Sequence, residues 1–209
     1  MQKEAQPLIE AMQEPSEKTV YGKKVYSGRL FGNETHIVIC GIGKVNAASG
    51  AQYAISELNA DELVNIGVAG GLNESVHIGE IYSIEKAVQY DFDLAELNGT
   101  EIGTLDECKE NYLPLSTDGD FPARRLATGD RFNDSVDDYK LLTDTLKADI
   151  RDMECGAVAQ VCMHAKVKFS AYKIISDLAG SGSTPEQYFK NLELCFNSLR
   201  KNLKKVVKL

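Results

Sequence analysis

The stretch that decides the fold is KIISDLA at residues 173–179, an apolar, β-branched run that ends in a serine and an aspartate. Such a run is typical of a buried strand in an α/β sheet. A glycine-rich segment follows it. Because open α/β sheets bind ligands outside the carboxyl ends of their strands, Asp177 is the first candidate for a functional carboxylate.

The remaining chain alternates strand-like and helix-like segments. Apolar spacing predicts a strand at 36–40, a helix at 45–58 after a glycine turn and a strand at 62–66, which is a βαβ-type unit. Before it we predict a helix at 3–13 and a β-meander from 19 to 40, with turns at Gly22, Gly28 and Asn33. Further strands are predicted at 80–88, 124–127 and 169–175, and further helices at 135–146, 155–164 and 185–207. The expected architecture is a three-layer α/β/α fold around a central mixed, twisted sheet.

Length and composition favour one domain over residues 1–209, because 209 residues with 43% hydrophobic content bury one sizeable core. A formal net charge of -8 argues against nucleic acid or an anionic membrane as partner. A small molecule is the simpler partner.

The cysteines predict a reducing compartment. There are five of them, with no CxxC pair and no metal-ligand spacing to the three histidines. No run approaches the roughly 18 apolar residues of a membrane span, and the N-terminus lacks the apolar region of a signal peptide. We therefore expect a cytoplasmic protein without a metal. A lone Gly41-Ile42-Gly43 is too weak to imply NAD, and no cofactor is predicted.

Four motifs carry a resemblance to a known family: CGIGKVN at 40–46, NIGVAGG at 65–71, RDMECGA at 151–157 and the stretch at 173–179. In combination they resemble the 5′-methylthioadenosine/S-adenosylhomocysteine nucleosidases of the nucleoside phosphorylase superfamily. The resemblance covers nearly the whole chain. It implies a nucleoside phosphorylase-like fold and hydrolytic release of adenine from 5′-thioadenosines.

Adenine release needs an acid, since neutral adenine leaves far more easily than its anion. The resemblance assigns this role to Asp177, with Ser176 beside it, and a carboxylic acid fills it at neutral pH only where its site raises the pKa. The alternative is that Asp177 caps the following segment. Glu154 is implied to bind both ribose hydroxyls, with Met153 under the sugar. Its alternative is a solvated glutamate at a helix start.

The attacking water needs an activator, and the resemblance implies a glutamate in an Ala-Met-x-x-Glu motif directly after a sheet strand. The match here is Glu4 in Met1-Gln2-Lys3-Glu4, and no strand precedes it in this sequence. Either the start of the chain is truncated or another element replaces that strand. The alternative for Glu4 is an exposed helix-start glutamate close to a fraying end.

The other binding residues also follow from the resemblance. Phe132 is implied to stack on adenine while the backbone of Phe132 and Asn133 reads its edge; the alternative is an ordinary core phenylalanine. The backbone of Ala69 and Gly70 is implied to approach the ligand. An apolar pocket for the 5′-alkylthio group is expected from Met1, Ile42 and an aromatic at 188 or 189.

Several positions depart from the family pattern. Val68 replaces a serine, Tyr90 a histidine, Asn133 a hydrophobic residue and Lys173 an arginine, and Lys173 keeps the charge without the planar fork. Asp152 replaces a glutamate, and we assign it no chemistry. These departures leave the rate and the 5′-substituent preference open.

The resemblance also favours water over phosphate as the attacking group. A phosphorolytic site of this superfamily needs arginines and a Gly-Asp-Pro loop to hold phosphate, whereas residues 65–71 here include no basic residue and the chain has no Gly-Asp-Pro tripeptide. The alternatives are a related purine nucleosidase such as futalosine hydrolase, a nucleoside phosphorylase, or a catalytically weak nucleoside-binding protein. The segment 91–122 matches the family's dimer interface, so the resemblance also implies a homodimer.

Overall fold

Helices and strands alternate along most of the computed structural model, which describes residues 1–133, 135–179 and 184–207. Within these ranges, five residues of π-helix, Leu141–Thr145, continue helix α4. The elements are, in chain order, α1 (Gln2–Ala11), β1 (Gln13–Val20), β2 (Lys23–Leu30), β3 (Asn33–Ile39), α2 (Lys44–Glu57), β4 (Glu62–Gly71), β5 (Ile81–Gln89), α3 (Ala95–Asn98), β6 (Leu113–Pro114), β7 (Ala123–Thr128), α4 (Val136–Lys140), β8 (Ile150–Asp152), α5 (Cys155–Ala165), β9 (Lys168–Leu178) and α6 (Thr184–Val206).

The strands form two sheets. Strands β1, β2 and β3 make the predicted antiparallel meander. The second sheet has the order β6-β5-β7-β8-β4-β9 and mixes parallel and antiparallel pairs. It also closes on itself, because β5 pairs with β9 through Ile81–Ser83. The prediction of a central mixed sheet is confirmed.

Successive residues of β9 show how the layers form. Ile174 packs in a cluster with Leu8 of α1 and Leu199 of α6. Ile175 packs in a different cluster, with Ala51 of α2 and Val158 of α5. Because neighbouring side chains of a strand point to opposite faces, the sheet is covered by α1 and α6 on one face and by α2 and α5 on the other. This is the predicted three-layer arrangement.

Gly28 does not lie in a turn as predicted, but in the middle of β2. A Cβ at Gly28 would lie 2.6 Å from the carbonyl oxygen of Gln13 and 2.8 Å from the Met12 side chain. The glycine therefore lets the chain pass closely where α1 turns into β1.

None of the helices in the described ranges is long and apolar enough to cross a membrane.

Candidate active site

The carboxyl ends of β4 and β9 open into a cavity of about 1080 Å³. Ten of the predicted site residues line this cavity: Met1, Glu4, Ile42, Ala69, Gly70, Phe132, Met153, Glu154, Ser176 and Asp177. The remaining one, Asn133, turns its side chain away and donates a hydrogen bond from Nδ2 to Asp138 at 2.9 Å. The fold thus brings the three candidate carboxylates to one cavity.

Asp177 lies in β9, and helix α6 begins at Thr184. Asp177 is therefore not the N-cap residue of α6, and the alternative that it caps the segment after β9 falls on residues 180–183, which lie outside the described residues. The side chain is only 2% exposed, and the Ser176 hydroxyl donates to Asp177 Oδ2 at 2.7 Å. Helix α6 holds this strand end, since Asn191 Nδ2 donates to the Ser176 carbonyl at 2.9 Å. The acid candidate is buried and fixed in orientation.

Gly70 explains how Asp177 reaches the cavity. A Cβ at Gly70 would lie 2.9 Å from Asp177 Oδ1 and 3.1 Å from Nε of Arg151. Sequence reasoning missed Arg151, a buried arginine that also lines the cavity. Its only signal was its place inside the RDMECGA motif.

We expect Gly70→Ala to lower kcat at least 10-fold, because the added methyl group displaces the Asp177 carboxylate. Gly71→Ala is the matched control. Its Cβ would meet only apolar side chains, Val76 at 2.7 Å and Leu178 at 2.8 Å. We expect the control to lower stability by about 1–3 kcal/mol through overpacking and to keep kcat nearly unchanged. Steady-state kinetics and urea unfolding of both variants check this pair; equal kcat values would contradict it.

Glu154 precedes the first turn of α5, and its side chain faces the cavity. Oε1 accepts a hydrogen bond from the backbone N–H of Gly43 at 3.0 Å. Burial raises the pKa of the Glu154 carboxyl, the charge of Asp152 raises it further, and Lys173 opposes this. The alternative of a solvated glutamate is therefore wrong, although the helix-start position is right.

Asp152 and Lys173 form a buried ion pair that sequence reasoning did not predict. Lys173 Nζ lies 2.8 Å from Asp152 Oδ2, and the two side chains are 2% and 1% exposed. Asp152 also accepts hydrogen bonds from the Thr128 hydroxyl at 2.6 Å and from the Cys155 N–H at 2.9 Å. Burial, the largest single cause, lowers the pKa of the Lys173 ammonium, but the charge of Asp152, the neighbouring Cys155 and Glu154 and the hydrogen bond to Asp152 together outweigh it, and the net pKa is raised. Lys173 is therefore charged at neutral pH.

Glu4 lies in the first turn of α1 with a side chain that is 13% exposed. Its Oε1 accepts a hydrogen bond from the Val68 N–H at 2.9 Å, and its Oε2 contacts the Met1 ammonium. A Cβ at Gly67 would lie 3.1 Å from Glu4 Oε1 and 3.9 Å from Lys173 Nζ. Glu4 is thus held against β4 beside a buried cation, and the alternative of an exposed glutamate is wrong.

Aromatic rings form the outer wall of the cavity. Phe132 is 52% exposed, so it is not an ordinary core residue. Its ring meets Tyr188 edge to face, with centroids 5.8 Å apart, and Tyr188 meets Phe189 at 5.2 Å. All three line the cavity. An exposed ring in such a cluster suits stacking on a flat base.

Tyr90 lies in the core, in a cluster with Leu72 and Ala127. Its ring covers Gly129, where a Cβ would be 2.4 Å from the ring edge. Burial, together with the charges of Asp138 and Asp91, raises the pKa of Tyr90 to about 12. Its hydroxyl is therefore neutral at physiological pH. Among the described residues, no cluster of histidine, cysteine, aspartate and glutamate is arranged to hold a metal ion.

Comparison with known proteins identifies the family of the chain. The profile described as "Phosphorylase superfamily" matches residues 1–209. The chain is also 31% identical to the 5′-methylthioadenosine/S-adenosylhomocysteine nucleosidase of Halalkalibacterium halodurans over 199 residues, which is 87% of this chain and 84% of that one. The chain belongs to this nucleosidase family of the phosphorylase superfamily.

Solved structures of the nucleosidase family share its fold. The nucleosidase of Colwellia psychrerythraea, solved in complex with adenine, is 27% identical with a TM-score of 0.89, covering 99% of this chain and 91% of that one. The futalosine hydrolase of Helicobacter pylori has a TM-score of 0.90 at 23% identity, covering 99% and 94%. At 23% identity, the similarity to the futalosine hydrolase shows a shared fold and nothing more.

Proposed function

We propose that the protein hydrolyses the N-glycosidic bond of 5′-methylthioadenosine, S-adenosylhomocysteine or both, and releases adenine and the 5′-thioribose. The observation that carries the proposal is the meeting of Asp177, Glu154 and Glu4 in one cavity with an exposed phenylalanine ring. The proposal is also supported by the 5′-methylthioadenosine/S-adenosylhomocysteine nucleosidases that are similar in sequence over most of this chain.

Each carboxylate has a separate task in this reaction. Asp177 donates a proton to N7 of adenine, so that the C1′–N9 bond breaks and the base leaves neutral. The developing oxocarbenium ion takes the oxygen of a water whose proton passes to Glu4. Glu154 accepts hydrogen bonds from the two ribose hydroxyls, and Met153 packs under the sugar. Phe132 stacks on the base, and the backbone of Asn133 and of Ala69 and Gly70 at the end of β4 lies along its edges.

The charges near Glu4 favour water over phosphate as the attacking group. Lys173 lies close to Glu4, but its charge is already balanced by Asp152 at 2.8 Å. A phosphate dianion would meet the carboxylates of Glu4 and Glu154, which repel it. Lys173 instead serves to orient the water.

The 5′-substituent is proposed to lie against Met1, Ile42, Tyr188 and Phe189. Met1 and Ile42 are 39% and 53% exposed, and Phe189 is 73% exposed. An apolar 5′-alkylthio group would cover these side chains, whereas a charged substituent would not. A panel of methylthioadenosine, S-adenosylhomocysteine and futalosine, followed by release of the free base in phosphate-free buffer, tests the proposal. Base release from futalosine alone would overturn it.

We expect the pH dependence of KM to report Glu154. Because the pKa of Glu154 is raised, its ribose-binding anion is lost at a higher pH than for an ordinary carboxyl of about 4.3, and KM should rise as pH falls through that range. Glu154→Gln should raise KM about 10- to 100-fold, as loss of a charged hydrogen bond does, and remove this acid limb. The exposed Glu101→Gln is the matched control. An unchanged acid limb in Glu154→Gln would contradict the assignment.

The oligomeric state of the enzyme, its location in the cell and its metabolic role are also proposals. The homodimer is proposed because segment 91–122 resembles the family's dimer interface, and Leu97 within that segment is 80% exposed. Free thiols at all five cysteines support a cytoplasmic location. There the enzyme would remove methylthioadenosine, which is a step of methionine salvage. Sedimentation equilibrium checks the dimer.

A further inference from the structure

Three loops beside the cavity are joined by a closed ring of hydrogen bonds. Lys44 begins α2 after the loop that follows β3, Asp91 follows β5 and Asp130 follows β7. The Lys44 N–H donates to Asp130 Oδ1 at 2.8 Å, and the Asp130 N–H donates to Asp91 Oδ2 at 3.0 Å. Lys44 Nζ closes the ring by donating to Asp91 Oδ1 at 2.6 Å. We call these three residues the loop clasp.

Asp130 caps α2 from a different loop. The residue before this helix is Gly43, which has no side chain to accept a hydrogen bond from the first turn. The Asp130 carboxylate accepts the Lys44 N–H instead, and a negative charge at a helix N-terminus is favourable. Gly43 has a φ of +94°, and a Cβ there would lie 3.0 Å from Asp130 Oδ1. Asp130 therefore fixes the peptide group between Gly43 and Lys44.

The amide before this peptide group holds the ribose-binding carboxylate. The Gly43 N–H donates to Glu154 Oε1 at 3.0 Å. Two successive amides thus bind two carboxylates, one in the loop clasp and one in the cavity. Because peptide groups are planar, only the φ and ψ angles of Gly43 separate the two N–H groups, and glycine does not restrict these angles by itself. The direction of the Gly43 N–H therefore depends on how firmly Lys44 is held.

The loop clasp acts from outside the cavity. The lining of the cavity includes Glu154 and Phe132 but none of the three clasp residues. They can influence a ligand only through the residues they hold, which are Gly43 on one loop and the segment that leads to Phe132 on another.

We propose that Asp130 is a positioning residue for ribose binding, which acts through the Gly43 amide on Glu154. The inference rests on the proposed function, in which Glu154 binds the ribose hydroxyls. Asp91 has a wider effect, because it holds both Lys44 and the backbone of Asp130. Loss of the Asp130 side chain leaves the backbone N–H of residue 130 on Asp91, so the loop of Phe132 stays in place.

The charges around Glu154 make the Gly43 hydrogen bond visible in a pH profile. Burial, the largest cause, raises the pKa of the Glu154 carboxyl, and Asp152 and Glu4 raise it further. Lys173 and the Gly43 hydrogen bond lower it. Three other titratable groups near Glu154 stay neutral, because their own pKa values are raised: Cys40, Cys155 and Tyr188. Loss of the Gly43 bond therefore raises the pKa of Glu154, and the ribose-binding anion is lost at a higher pH.

The test compares Asp130→Ala with Asp130→Asn, whose amide oxygen still accepts the Lys44 N–H. The ligand is 5′-methylthioformycin, a methylthioadenosine analogue whose base and sugar are joined by a carbon–carbon bond, so its affinity is measured without turnover. Asp130→Ala should weaken analogue binding about 10-fold, as loss of one hydrogen bond to a charged group does. It should also move the acid limb of binding to higher pH and leave adenine affinity unchanged. Asp130→Asn should keep most of the native affinity, and Asp91→Ala should weaken the binding of both ligands.

A second background separates positioning from a general loss of structure. In Glu154→Ala, the further change Asp130→Ala should alter analogue affinity less than about 2-fold, because the residue through which Asp130 acts is gone. An equal loss in both backgrounds, or an equal loss of adenine and analogue affinity in Asp130→Ala, would overturn the inference and leave the proposed function standing. A native protein that binds the analogue no better than adenine would overturn the proposed function, and the inference with it.

Discussion

Replacing the acid, Asp177→Asn, should lower kcat for methylthioadenosine by about 10²- to 10⁴-fold, the range of a general acid. The amide keeps the size of the side chain and still accepts the Ser176 hydroxyl, which lies at 2.7 Å in the native protein. It has no proton to give to N7, so adenine would have to leave as its anion. Affinity for adenine should change less than 10-fold.

Controls separate this loss from a general effect of removing a carboxylate. Asp106→Asn makes the same change on an exposed loop residue and should leave kcat unchanged. A single-turnover measurement gives the chemical step, and equilibrium binding of adenine gives the affinity. An Asp177→Asn variant with full kcat would remove Asp177 from the mechanism, and a native protein that binds adenine without turnover would be a nucleoside-binding protein.

Breaking the buried ion pair should give the largest loss of stability. Lys173→Met leaves the Asp152 carboxylate, 1% exposed, without its cation. Removing one partner of a buried pair costs about 3–5 kcal/mol, because an uncompensated charge stays in a poorly solvated place. The same variant should lower kcat, since Lys173 also lies beside Glu4.

The double variant Asp152→Asn/Lys173→Met is the matched control. It removes both charges, so its free energy of unfolding should recover at least half of the loss in Lys173→Met. Urea unfolding of the native protein, both single variants and the double variant completes the cycle. A Lys173→Met loss below about 1 kcal/mol would mean that the pair is weak, as surface pairs are.

Of the strands near the site, the one that is buried along nearly its whole length, β9, was predictable from the sequence. The strand predicted at 169–175 is part of β9, which continues to Leu178 and has Asp177 near its end. The three-residue strand β8 was missed, because so short a segment carries no period. Strand β1 was predicted only from residue 19, since residues 13–19 are all exposed and give no alternation.

The site was predictable as a set of carboxylates but not as a network. Glu154, Glu4 and Asp177 followed from motifs, and the cavity contains all three. The Asp152–Lys173 pair joins two residues that are 21 positions apart in the sequence. Its signal in the sequence was that each replaces a longer residue of the same charge in the family pattern, Asp152 a glutamate and Lys173 an arginine. The order of the strands in the second sheet joins segments that are far apart in the sequence, and no local pattern contains it.

The most direct test of the central claim is the reaction of methylthioadenosine in phosphate-free, ¹⁸O-labelled water. The account predicts adenine together with methylthioribose that carries one ¹⁸O at C1, formed by the native protein and lost in Asp177→Asn. Absence of adenine, or adenine release only after phosphate is added, would contradict it.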